Sequence, residues 1–428
     1  MTEKWNESTI GNIGRVVTGK TPPTSDPENY GGTLPFITPS DMKGQKFIGS
    51  TERTISVKGI KHVKNLLIPP KTVFVSCIGS DMGKVGMTTV ESVTNQQINA
   101  VIVNEGVDTN YVYYNLFARK DELQRLATSG SAQPILNKGH FSQLKIEIPP
   151  LPEQKAIASI LGALDDKIEL NRKMNETLEA MARTIFKSWF MDFDPIPGFG
   201  PHKDWQDSPL GKIPKGWKVA QVSKAFEINP IRQIKKGIQY THVDMQSLPT
   251  TSARVTNITR REFTGSGSKF KNGDVLFARI TPCLENGKTA LVDFLPENEY
   301  GWGSTEFIVF GPKELLNSWF VYCVARNQEF RDHAIRAMSG TSGRQRVEIG
   351  CFNNFSIVIP PAEITTKFAN VVKPWFTQMK TNDEESHTLA TIRDTLLTKL
   401  LSGEIRVKDA ERFVAEKRSE EPRTKSIY

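Results

Sequence analysis

The chain has 428 residues, 38% hydrophobic and 24% charged, with a formal net charge of +8 and a pI near 9.1. That length excludes a single ordinary core and predicts two or more domains. Apolar runs are too short for a membrane span, the start MTEKWNEST lacks the apolar stretch of a secretion signal, and a cytoplasmic protein is expected.

The basic excess is uneven. Residues 1–150 hold 16 Lys/Arg against 13 Asp/Glu, residues 215–360 hold 19 against 13, and the remainder holds 20 against 21. Excess confined to two blocks permits a polyanionic partner. Cys77, Cys283, Cys323 and Cys351 form no CxxC spacing, so neither a zinc site nor a disulfide framework is expected.

In chain order, residues 14–21 read GRVVTGKT and fit the phosphate-loop pattern GxxxxGK[ST]. A phosphate loop must lead into a helix whose N-terminus receives the phosphates. Here Thr21 and Pro22 each precede a proline, which disfavours helical dihedrals, and TSDPENYGG follows. A surface turn on a β-rich domain is predicted instead. FITP, VFVSCI, AVIVN and LKIEI then read as strands, and 111–128 as an amphipathic helix beside them. Residues 1–150 form the first predicted domain.

A helix is predicted over 151–191. Ile157, Leu161, Leu164, Ile168, Leu178, Met181, Ile185 and Trp189 fall at alternating three–four spacing, the seam of a coiled coil. Asp192 and Asp194, before Pro195, read as its stop signal and open a linker over 192–214. A second domain over 215–360 carries the strand-like runs VLFARI, EFIVF and FSIVI and a helical stretch at 316–338. A second seam follows within 361–403, at Phe368, Val372, Trp375, Met379, Leu389, Ile392, Leu396 and Leu400, and a charged tail occupies 404–428.

The second half repeats the first. VFVSCIG at 73–79 resembles VLFARIT at 275–281, MGK at 82–84 returns as NGK at 286–288, and IPP at 148–150 returns at 359–361. NLFAR at 115–119 is echoed by YCVAR at 322–326, and Ser129-Gly130-Ser131 by Ser339-Gly340-Thr341. Offsets drift only from 202 to 211 residues, so one unit is present twice. Each seam has one polar break, Asn171 with Asn175 and Asn382 with Ser386, and antiparallel pairing would bring the breaks together. The fold class expected is α+β: two tandem α/β domains joined by two long antiparallel coiled-coil helices, related by a pseudo-twofold. A helix of this length spans roughly 57 Å at ~1.5 Å per residue. Two diverged basic modules on such a rod predict a split, asymmetric site on double-stranded DNA.

Several motifs together resemble a known family. GKTPPT at 19–24, PFITPSDM at 35–42, SGSAQ at 129–133, IPPLPEQKAIASIL at 148–161, FMDFDP at 190–195, DSPLGKIPKGW at 207–217 and LLSGEIRV at 400–407 occur in that order. The chain is similar to the specificity (S) subunit of type I restriction–modification systems over nearly its whole length. The resemblance implies that both predicted domains are target-recognition domains and that the helices dock methyltransferase (M) subunits, with restriction (R) subunits joining the larger complex. Two pseudo-symmetric helix faces imply two M subunits. S-adenosylmethionine, ATP and magnesium would then serve the partner subunits, and no cofactor is expected in this chain.

Base reading needs Arg or Lys for guanine and Asn or Gln for adenine, and affinity needs cations on phosphates. The candidates in the first domain are Lys20, Lys43, Lys84, Gln96, Gln97, Gln133 and Lys138, on polar loops between strand-like runs. In the second they are Arg232, Lys235, Lys236, Arg254, Arg260, Arg261, Lys269, Arg279, Lys288, Arg344 and Arg346. No HExxH, metal-ligand spacing or NPPY/F methyltransferase motif occurs, so the chain itself is expected to catalyse nothing. Two other classes stay open from the residues alone: a stand-alone nuclease or methylase, and a scaffold whose domains bind no DNA.

Overall fold

The structure is a computed structural model that describes residues 5–128, 135–341 and 343–410. It divides into two compact units, Met1–Leu170 with Glu385–Tyr428, and Asn171–Glu384. Both are α+β, as expected. The predicted helices are Leu151–Phe190 and Ala362–Leu401, 40 residues each, and the division cuts through both. The helices are therefore not separate domains; each unit takes part of both.

In the first unit, strands Gly14–Thr18, Ile98–Val103, Val73–Ser76, Val85–Thr88 and Phe47–Ile48 form one five-stranded sheet in that order. Val73–Ser76 is buried at every position, which explains its unbroken run of apolar residues ending in Ser76. A smaller sheet orders Thr54–Ile55, Tyr30–Ile37 and Val93–Thr94. Asn6–Thr9 pairs antiparallel with Lys145–Ile148, bringing the two ends of the domain together beside the helix start. The predicted helix at 111–128 is two helices, Thr109–Phe117 and Lys120–Thr128. Ile157, Leu161 and Leu164 pack with Leu389, Ile392 and Leu396 in the core of this unit. Ion pairs Asp165–Arg393 at 2.7 Å and Lys167–Glu385 at 3.0 Å set the two helical segments antiparallel. Arg406 pairs with Glu153 at 2.9 Å and Ala410 is fully buried, so the tail begins by packing onto this core.

The second unit repeats the plan. Phe226–Ile228, Phe307–Pro312, Val275–Ala278 and Thr289–Leu291 form one four-stranded sheet. Thr259–Glu262, Gln239–Val243, Gly301–Gly303 and Ser268–Phe270 form another. Lys218–Gln221 pairs antiparallel with Ser356–Ile359, the counterpart of the closing pair in the first unit. Helices Ser318–Arg326 and Gln328–Arg336 stand where one was predicted, because Asn327 caps the second by accepting from the Phe330 amide at 3.2 Å. The predicted linker holds the hairpin Trp205–Ser208 with Gly211–Pro214. Phe193 and His202 pack edge-on against both Trp205 and Trp217.

The seam changes character within this unit. Met181 is 43% exposed, whereas Glu179 is buried beside Ala182, Phe186 and Trp189. A coiled-coil spacing therefore misplaces Met181: this stretch of helix packs against a domain as well as a partner helix, which widens its buried stripe. The polar breaks meet. Asn382 Nδ2 donates to Asn175 Oδ1 at 2.8 Å, and Asn171 Nδ2 donates to the Asn382 carbonyl at 3.2 Å.

Arg254 joins this polar layer to the sheet-bearing part of the second unit. Its Nε lies 2.8 Å from Asp383 on the C-terminal helix, and its Nη1 contacts Asp293. Burial holds the carboxyls of Asp293 and Asp383 above their ordinary range, against the opposing pull of Arg254. A carboxyl raised in the folded state contributes stability below its unfolded value and loses it as pH rises through the folded value. Removing Arg254 strengthens that bias. In Arg254→Ala, the denaturation midpoint is expected to fall at neutral pH and to recover as pH is lowered into the range where these raised carboxyls take up protons. Urea titrations of both proteins across that range check it; parallel pH profiles would refute it.

Candidate nucleic-acid interface

In the first unit, three backbone hydrogen bonds tie four loops together at one end of the sheets. The Asn95 amide donates to the Ile37 carbonyl at 3.0 Å, Cys77 to Gln97 at 2.7 Å, and Leu136 to Cys77 at 3.0 Å. The loop after strand Gly14–Thr18 joins them, with the Lys20 amide on the Thr94 carbonyl at 3.0 Å and Thr21 Oγ1 donating to Gln96 Oε1 at 2.6 Å. Exposed Lys20 and Gln96 thus stand side by side, with half-buried Gln97 next to them. Lys43 and Lys138 are exposed on neighbouring loops, Lys138 opening a short helix capped by Asn137. Gln133 and the SGSAQ run lie outside the described residues.

The same three bonds recur in the second unit. The Ser304 amide donates to the Val243 carbonyl at 3.4 Å, Arg279 to Glu306 at 3.0 Å, and Val347 to Arg279 at 2.8 Å. Equivalent frame positions carry different side chains: Gln96 and Gln97 give way to Thr305 and Glu306, and Ile135 to Arg346. Arg346 grips Glu306, with Nη2 2.7 Å from Oε1. Arg344 is exposed on the same hairpin.

The remaining candidates separate by what they touch. Lys235 and Lys236 are exposed on the loop after strand Phe226–Ile228. Arg260 pairs with Glu299 at 3.1 Å and Arg261 with Asp244 at 2.8 Å, both half-exposed on one strand. Lys269 Nζ sits 5.4 Å from the centre of the Phe263 ring. Two expectations need correcting. Arg232 and Arg254 are 8% and 9% exposed, and each is bound to carboxylates. Arg232 Nη2 donates to Asp274 at 2.8 Å, and Asp274 is fully buried. A charge buried this far needs its partner, so neither guanidinium is free for DNA and both hold the fold. Lys84 and Lys288, from the repeated MGK and NGK, share one task. Lys84 Nζ donates to the Pro39 carbonyl at 3.5 Å and pairs with Asp81 at 2.7 Å, while Lys288 Nζ donates to the Met245 carbonyl at 2.7 Å. Each fastens the short 3-10 turn that opens at that carbonyl.

Sequence reasoning missed His242, Gln246, Ser304 and Thr305. They line a recess of about 540 Å³ together with Asp244 and Trp302. The His242 ring lies 4.3 Å from the Trp302 ring. Burial holds its imidazole below the ordinary value, against the pull of Asp244. The repeat carried the signal: Ser304-Thr305 occupies the place of Asn95-Gln96, but the residue types alone did not mark it. Elsewhere, the carboxylates of the FMDFDP run are engaged at the helix end, Asp192 by Lys187 at 2.7 Å and Asp194 by Ser188 at 2.8 Å. Among the described residues, no helix is long and apolar enough to cross a membrane.

Residues 2–180 match the family described as type I restriction modification DNA specificity domain. Over 422 residues the chain is 28% identical to the type I restriction enzyme MjaIX specificity subunit of Methanocaldococcus jannaschii, covering 95% of this chain and 94% of that protein. It is 36% identical over 180 residues to the HindI specificity subunit of Haemophilus influenzae, covering 40% of this chain and 39% of that one. The fold is similar to the crystal structure of the type I restriction-modification system S subunit from M. genitalium, at a TM-score of 0.50 and 15% identity over 94% of this chain and 97% of that one. The relatives are specificity subunits of type I restriction enzymes, and the chain is similar to one of them over nearly its whole length and carries a match to the DNA specificity domain over residues 2–180.

Proposed function

We propose that the chain reads a bipartite, asymmetric site on double-stranded DNA and docks two methyltransferase subunits, through which restriction subunits join. The observation that carries this reading is the repeated loop frame. Two identical sets of backbone bonds hold Gln96 and Gln97 in one unit and Thr305 and Glu306 in the other. Equal frames with unequal side chains are what two different half-sites require. Exposed Lys20, Lys43 and Lys138 in one unit, and Lys235, Lys236 and Arg344 in the other, supply phosphate contacts around each frame. The outer faces of the two long helices supply the docking surface for methyltransferase subunits. S-adenosylmethionine, ATP and magnesium belong to those partners and to the restriction subunits, and the assembly works in the cytoplasm.

Co-expression with the cognate methyltransferase subunit, followed by mapping of methylated adenines, tests this. A split motif with a constant spacer is expected. Replacing residues 215–360 with those of a relative is expected to change one half of the motif and leave the other. A continuous motif, or a swap that alters both halves, refutes the bipartite reading. Duplex binding without strong salt dependence would return the chain to a protein scaffold.

A further inference from the structure

Ile231 is 96% exposed, more than any other large hydrophobic residue among the described residues. Single exposed apolar side chains are common on protein surfaces, so what sets Ile231 apart is how firmly it is held there. The backbone on both sides is fastened. Asn229, at a φ of +47°, donates its amide to the Val309 carbonyl at 2.8 Å and accepts from the Val309 amide on its side chain at 2.8 Å. Arg232 is locked by Asp274 and by the Lys269 carbonyl, 3.0 Å from its Nη1. The intervening Pro230 has its φ fixed by its ring. Ile231 is thus a rigid apolar point held by a buried ion pair.

Its place in the sheet gives the direction. Strand Phe226–Ile228 runs antiparallel to Phe307–Pro312, with Ile228 opposite Phe310. The chain beyond it therefore leaves toward the start of the neighbouring strand, where Ser304, Thr305 and Glu306 stand. Strand Val275–Ala278 delivers Arg279 to the same end, with Ala278 opposite Phe307. Lys235 and Lys236, both exposed, follow on the loop. The corresponding loop in the first unit offers Lys20, Thr21 and a buried Pro22 at its start, with no comparable apolar tip.

We propose that Ile231 is a wedge that enters a base step of the half-site read by the second unit, unstacks it and bends the duplex there. Apolar side chains inserted between base pairs kink DNA in this way, and the flanking lysines supply the phosphate grip that seats them. The proposal rests on the DNA-reading function above and adds to it a deformation that only one half of the site undergoes. Specificity at the wedged step would come from how easily that step unstacks.

The test uses the full chain in complex with its methyltransferase subunits, on a duplex carrying the mapped motif. 2-Aminopurine is placed singly along the half-site that follows residues 215–360, away from the methylated adenine. Wild type is expected to raise its fluorescence at one step and to bend the duplex. Ile231→Ala is expected to return that signal to the free-duplex level and to weaken binding about tenfold. Ile231→Leu is expected to keep the signal. The double change Lys235→Ala with Lys236→Ala is expected to weaken binding on every sequence, yet leave the signal intact at saturation. A wild-type complex with every probed step stacked overturns the wedge while leaving DNA reading in place, and so does a signal that survives Ile231→Ala. Failure to bind any duplex overturns both.

Discussion

Glu179→Ala is expected to lower the stability of the second unit by about 3–5 kcal/mol, the cost of stranding one partner of a buried ion pair. Glu179 on the central helix lies 3.2 Å from Arg326 and accepts a 2.7 Å hydrogen bond from Tyr322 Oη, with side-chain exposures of 4% for Glu179 and 5% for Arg326. The truncation leaves the guanidinium with the carbonyls of Thr250 and Gly287, at 2.9 and 2.8 Å, and no counter-charge. For a unit of this size the melting temperature is expected to fall by roughly 6–20 °C. The comparison that decides the cause is Glu179→Leu combined with Arg326→Leu. If desolvation is the dominant cost, this apolar pair recovers most of the loss, because removing both charges of a buried pair is often neutral. Thermal unfolding of wild type, the single variant and the pair checks it. A single variant within about 1 kcal/mol of wild type would mean that water reaches Arg326.

Seam residues such as Leu161, Phe368 and Leu396 could be placed from spacing because each helix must bury one stripe, and a stripe has a period. Glu179 could not. Its burial depends on Tyr322 and Arg326, more than 140 residues away in sequence, and no local pattern marks a carboxylate that will find such partners. The same limit explains Arg232 and Arg254. In the sequence each is one more cation in a basic block, and only the fold brings Asp274 to one and Asp293 with Asp383 to the other. Met181 fails for the converse reason: its spacing fits the seam, but the second unit's helix surface is claimed by Glu179, Ala182 and Phe186 instead.

The site was legible through the repeat more than through residue type. MGK and NGK were visible as echoes, and the structure gives them one shared act, a lysine fastening a 3-10 turn. The repeated frame of backbone bonds was not visible, because carbonyls and amides carry no sequence signature. Once the frame is known, Thr305 and Glu306 fall into line with Gln96 and Gln97.

The string GRVVTGKT supplies the second large effect. Gly14–Thr18 is a strand, and Gly19 turns the chain so closely past its neighbour that an added Cβ would stand 2.0 Å from the Thr94 carbonyl oxygen and 2.2 Å from Thr94 Oγ1. Two of the obstructing atoms are backbone, so the clash cannot be relieved by rotating a side chain. Gly19→Ala must therefore push the loop away from Thr94, break the hydrogen bond that the Lys20 amide donates to the Thr94 carbonyl and release Thr21 from Gln96. Forced overpacking of this kind costs about 1–3 kcal/mol of stability. On the bipartite reading proposed above, the larger effect is expected on recognition: loss of discrimination in the half of the motif assigned to the first unit, with the half assigned to residues 215–360 unchanged. Lys20→Ala removes a cation but leaves the loop in place, so it is expected to weaken binding on all sequences and keep the motif. A nucleotide loop makes the opposite forecast, in which Lys20 is as indispensable as Gly19 because it reaches the phosphates. Methylome maps of the two variants separate these accounts. A shortened or relaxed half-motif for Gly19→Ala beside an unaltered motif for Lys20→Ala is the pattern that the loop's packing against Thr94 requires.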